Sequence, residues 1–111
     1  MPNFFSPADV ISALRQIYHQ LQLLHPLTPY SKARLARLAD QTTYCLEHWP
    51  LALWPQYSRQ GEPIPAYSRV REWVQHATQL LASLPSSLGE TTTATWQQAA
   101  YILRRTVRLL T

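Results

Sequence analysis

Pro7, Pro26, Pro29, Pro50, Pro65 and Pro85 divide this chain into stretches, and the stretches between helix-starting and helix-stopping prolines each carry an apolar stripe at helical spacing. Proline fixes its own backbone angle and lacks an N–H, so it fits the first turn of a helix and ends a helix that runs into it. The Ser6-Pro7-Ala8-Asp9 segment therefore reads as a helix start, with Ser6 as cap and Asp9 complementing the helix dipole. Val10, Leu14, Ile17, Leu21 and Leu24 follow in alternating steps of four and three until Pro26. Thr28-Pro29 repeats the start, and Leu35, Leu38, Thr42, Cys45 and Trp49 continue to Pro50, placing a second helix over roughly residues 29 to 48.

A third helix is expected from near Pro65, with Val70, Trp73, Ala77, Leu80 and Leu84 on one face and Val74 and Leu81 beside it. Residues 86–89 read as a loop. A fourth helix runs from about Thr93 to the end, with Trp96, Ala99, Leu103, Thr106 and Leu110 in register and Ile102, Val107 and Leu109 widening the face. Short connections favour antiparallel neighbours, so the expected fold is an all-α, four-helix up-down bundle. Its irregular part is the Pro- and Trp-rich link over residues 50–66, read as a short helical turn over 51–57 and then an extended connector.

Composition supports this reading. A chain of 111 residues suits one domain. With only two glycines against nine prolines, the flexible turns of hairpins are missing, which disfavours an all-β fold. Hydrophobic residues make up 46% and charged ones 14%, against about 25% charged in average proteins, so composition disfavours disorder. Cys45 is the one cysteine and has no disulfide partner within the chain, which fits a reducing compartment. The N-terminus lacks the basic and apolar regions of a signal peptide, and the uncharged run from Gln16 to Ser31 is interrupted by Gln, His and Pro and falls short of the roughly 20 apolar residues of a membrane span. A cytoplasmic protein with no membrane partner is the expectation.

Ten basic residues against six acids give a net charge of +4, an excess that suits an acidic partner. Some of the basic residues form a short echo: Tyr30-Ser31-Lys32-Ala33-Arg34 opens the second helix and Tyr67-Ser68-Arg69-Val70-Arg71 the third. Cations in a first turn oppose the helix dipole, and an anion held by Ser31, Lys32 and Arg34, or by Ser68, Arg69 and Arg71, would resolve the conflict. The plainer alternative is that tyrosine packs, serine caps and the basic side chains are solvated. An up-down bundle also gathers Arg59, Arg69, Arg71, Arg104, Arg105 and Arg108 at one pole, with Asp9, Glu47, Glu62 and Glu72 close enough to neutralise part of that charge. Tyr101 and the tryptophans would supply stacking surfaces there.

Arg71 and His76 have the Arg-x4-His spacing of HEPN-type ribonucleases, helical bundles in which such a pair works at a dimer interface, and the chain resembles that family in those two residues alone. Nine arginines and four histidines yield about one such match by chance when several spacings are tolerated. No Glu-x-x-His pair, metal-spaced histidines or Gly-rich phosphate loop occurs, so no catalytic residue, metal or cofactor is expected. The first and fourth helices have the widest apolar faces. The functional expectation is a small non-enzymatic interaction or assembly module, an adaptor that binds a protein partner, a second copy included, through apolar helix faces and the arginine-rich pole. Nucleic-acid binding through the same pole is the alternative.

Overall fold

The computed structural model describes residues 7–24, 29–84 and 90–111, with the backbone alone for Pro7, residues 29–31 and residues 90–92. Among the described residues four α-helices form: α1 (Pro7–Leu23), α2 (Pro29–Glu47), α3 (Tyr67–Ala82) and α4 (Glu90–Leu110), with a 3₁₀ turn at Leu51–Leu53. Each helix packs on its neighbours in chain order, α1 closes the ring against α4, and α2 touches α4 across the centre. The helices alternate in direction. Arg34, early in α2, bonds Gln20, late in α1; Glu47, at the end of α2, meets Arg71 in the first turns of α3 at 3.2 Å; and Arg105, late in α4, lies over Trp73 of α3. The all-α four-helix bundle read from the stripes is the observed fold, and the caps expected at Ser6 and Thr28, the stop at Pro26 and the loop at 86–89 lie outside the described residues.

One core runs through the bundle. Val10, Leu14, Ile17 and Leu21 of α1 meet Leu35, Leu38, Cys45 and Leu46 of α2 and Trp96, Ala99, Leu103, Val107 and Leu110 of α4. Thr42 and Thr106 are also buried, in the register expected of them. Each hydroxyl donates to the carbonyl four residues back, Thr42 to Leu38 and Thr106 to Ile102, both at 2.8 Å, which satisfies the donor inside the helix. In α3 the register differs from expectation. Val70, Val74, Ala77 and Leu81 are buried, whereas Trp73, Leu80 and Leu84 are half-buried on the flank. Small and branched residues at the centre let α3 sit close to α2 and α4, which pushes the larger side chains to its edge.

Helix limits shift by a few residues. α4 begins at Glu90, ahead of Thr93, and α3 begins at Tyr67, where Ala66 precedes it without a side-chain cap. The connector departs more clearly from the extended path expected of it. After the 3₁₀ turn it folds back on itself: Tyr57 pairs with Pro63 in an isolated antiparallel bridge, Ile64 N donates to Gln56 O at 2.9 Å and Ser58 N to Glu62 O at 2.8 Å. Gly61 turns the tip with φ of 84°, a conformation that other residues rarely adopt. The Ser58 hydroxyl accepts from the N–H groups of Gln60 and Glu62 within the loop. Trp54 anchors this loop to the bundle. Its indole N–H donates to Pro65 O at 2.9 Å, and its ring stands edge-on to Trp49 and Tyr67 at 5.2 and 5.3 Å.

Candidate functional site

The site follows from the register of α4. With Ala99, Ala100, Leu103, Thr106, Val107 and Leu110 buried, a period of 3.6 sends Tyr101, Arg105 and Arg108 outward in steps of four and three. All three are exposed, and Arg104 beside them is half-buried. Tyr101 is 60% exposed, which is unusual for a large aromatic on a packed helix.

Two recesses flank this ridge. On one side a cleft of about 290 Å³ opens between α3 and α4, walled by Trp73 and Ile102, with Glu72 and His76 on the α3 rim and Tyr101, Arg105 and Thr106 on the α4 side. Its interior is apolar, since the Thr106 hydroxyl is already donated to Ile102 O. On the other side a groove of about 380 Å³ between α1 and α4 is lined by Tyr18, Tyr101, Arg104, Arg105 and Arg108. Tyr101 and Arg105 belong to both recesses, so the two are continuous across α4.

The arginines differ in what they touch. Arg108 approaches Glu62 of the connector at 3.7 Å, both side chains more than half exposed. The Arg105 guanidinium lies 5.8 Å from the centroid of the Trp73 ring, a cation–π contact that spans the cleft. Arg104 Nε donates to Ala100 O of its own helix at 3.4 Å. Neither Arg104 nor Arg105 pairs with a carboxylate among the described residues.

The expected arginine pole is thus only partly one site. Arg104, Arg105 and Arg108 share the groove. Arg71 is held by Glu47 at 3.2 Å, away from the groove lining, while Arg59 and Arg69 stand exposed on the connector and the first turn of α3. The two halves of the Tyr-Ser-basic echo open helices that point in opposite directions. Lys32 Nζ donates to Leu84 O at 3.4 Å and Arg34 to Gln20, both at the far end of the bundle, and the side chain of Ser31 lies outside the described residues. In the second half, Tyr67 is spent on structure: its hydroxyl donates to Leu46 O at 2.9 Å, binding α3 to the last turn of α2. Ser68 is exposed and does not cap α3.

Arg71 and His76 do not converge. Five residues on a helix turn through about 140° beyond one full turn; Arg71 is engaged by Glu47 while His76 lines the α3–α4 cleft. Among the described residues no three His, Cys, Asp or Glu side chains are grouped where they could hold a metal ion. Nor is any helix among them long and apolar enough to cross a membrane.

The cleft itself is not legible in the spacing, which puts Trp73 on the core stripe of α3; the half-exposed position of Trp73 beside Ile102 and Tyr101 depends on how far α3 rotates against α4. A second exposed apolar group, Leu51, Leu53 and Tyr57, sits on the connector at 63, 57 and 65% exposure. Comparison of the chain with protein-family models, with curated proteins and with solved structures finds no match in any of the three.

Proposed function

We propose that the protein is a small helical interaction module, an adaptor or assembly subunit that holds a protein partner on the outer face of α4. The observation that carries this reading is the joining of an apolar cleft to an arginine-lined groove through Tyr101 and Arg105. Exposed aromatic and arginine side chains around an apolar recess are the residue types that anchor protein interfaces. A cleft of about 290 Å³ is at the lower limit of the roughly 300–1,000 Å³ typical of small-molecule sites, so it suits a side chain or two of a partner better than a whole cofactor. The reading assigns no catalytic step to the protein, and its one thiol suits a reducing compartment such as the cytoplasm.

A photo-crosslinking amino acid at position 101, in the protein expressed in its native host, tests the reading. A discrete protein, or a second copy of the chain, is expected to be captured from position 101 and not from position 16 on the outer surface of α1. Capture from position 53 alone would move the interface to the connector and end this assignment.

A second reading has its own support, because Tyr18 and Tyr101 flank three arginines in one groove, an arrangement suited to stacking and backbone contacts with single-stranded nucleic acid. Binding of a labelled single-stranded oligonucleotide that weakens steeply as salt rises would favour it, and absence of binding at low salt would remove it.

A further inference from the structure

We propose that the occupant of the α4 face is an acidic segment of a protein, with a bulky apolar side chain seated between Trp73 and Ile102 and its carboxylates on Arg104 and Arg105. This rests on the reading of that face as a protein-binding surface.

Local charge compensation points to an acidic occupant. Glu47 meets Arg71 and Glu62 meets Arg108, so two carboxylates of this end of the bundle serve the outer arginines, while Glu72 lines the cleft without an ion pair to an arginine among the described residues. Arg105, where the two recesses join, and Arg104 in the groove beside it are left without a carboxylate among the described residues. A guanidinium presents parallel N–H groups in its plane, which match the two oxygens of a carboxylate. Stacking on Trp73 occupies the face of Arg105 and leaves those edge N–H groups able to donate.

The cleft supplies the second half of the recognition. Its walls are Trp73 and Ile102, so an aromatic or large aliphatic side chain entering it is removed from water without leaving a polar group unpaired. Glu72 stands on the α3 rim beside His76 and repels a carboxylate there. The occupant's acidic end is thereby directed across α4 toward the groove. A nucleic acid fits less well, because its phosphates need a run of free cations, and Glu72 borders the cleft while Arg71 and Arg108 are already paired with Glu47 and Glu62.

Selection of a random displayed peptide library on the whole protein tests this, with the enriched peptides measured on R104E/R105E, Y101E and E72Q. Enriched peptides are expected to carry Asp or Glu near Trp, Phe or Leu, to lose affinity about tenfold on R104E/R105E, to weaken as salt rises and to bind E72Q more tightly. Peptides that require Tyr101 but bind R104E/R105E unchanged would sink the acidic occupant and leave the interaction face standing. Should no enriched peptide depend on Tyr101, both would fall. A single-stranded oligothymidylate that outcompetes the enriched peptides, and is lost on R104E/R105E, would overturn the proposal in favour of nucleic acid. If charge reversal prevents folding, R104Q/R105Q carries the same comparison.

Discussion

Cys45 occupies the buried stripe of α2 at 2% exposure, and its thiol behaves accordingly: burial disfavours the thiolate and pushes the pKa from 9.0 up to about 11. As pH rises, the unfolded chain gives up this proton first. The contribution of the neutral thiol to stability is therefore complete below pH 9 and is lost as pH rises toward about 11. Urea midpoints of the wild type should fall more between those pH values than those of C45A, the difference isolating the contribution of Cys45; equal slopes would contradict this. The same protonation makes alkylation of the native thiol slow compared with that of the unfolded chain. Thr42 and Thr106 teach a related lesson, since their place in an apolar register is explained by hydroxyls that bond within their own helices. Trp96 is the contrary case, a buried indole whose N–H has no hydrogen-bond partner among the described residues.

The connector is the element whose order rests most on single side chains. Trp54 joins Trp49 behind it to Tyr67 ahead of it and reaches Pro65 through its indole N–H. Trp54→Ala removes both edge-to-face contacts and that bond, and should lower stability by about 2–4 kcal/mol in urea denaturation, toward the lower figure because the ring is half-buried. Tyr67→Phe keeps the ring and removes only the donation to Leu46 O, at a cost of about 1 kcal/mol. Equal losses from the two substitutions would mean that the hydrogen bond, and not the aromatic packing, holds α3 to the end of α2. The fold-back of residues 56–64 is not legible in composition, because Gly61 and Ser58 form a turn whose closure depends on where Trp54 fixes the segment before it.

At the scale of the whole bundle, stability and the candidate site are separable. The core is made of side chains that face inward from all four helices, whereas Tyr101, Arg105 and Arg108 of the α4 ridge are exposed and lie outside it, with Trp73 and Ile102 packed at its rim. R104E/R105E removes no internal ion pair among the described residues, only the stacking of Arg105 on Trp73 and the bond of Arg104 to Ala100 O, so its unfolding free energy should fall by no more than about 1 kcal/mol. A larger loss would mean that the Arg105 contact with Trp73 closes the cleft in the folded state and that the arginines are structural.

Periodicity and the short connections on either side of the long link determined the four helices, their buried faces in α1, α2 and α4, and the antiparallel pairing of α1 with α2 and of α3 with α4. These properties are local: proline placement and a repeat of 3.6 residues set them within each helix, and short connections then leave little choice of direction. Only the tertiary structure decided that the stripe of α3 centres on Val70, Val74, Ala77 and Leu81, so that Trp73 faces a cleft and not the core. It also decided which arginines remain without a carboxylate. Helix rotation and side-chain pairing depend on how neighbouring surfaces interlock, and a spacing rule that fixes positions around one helix axis holds no information about the helix packed against it.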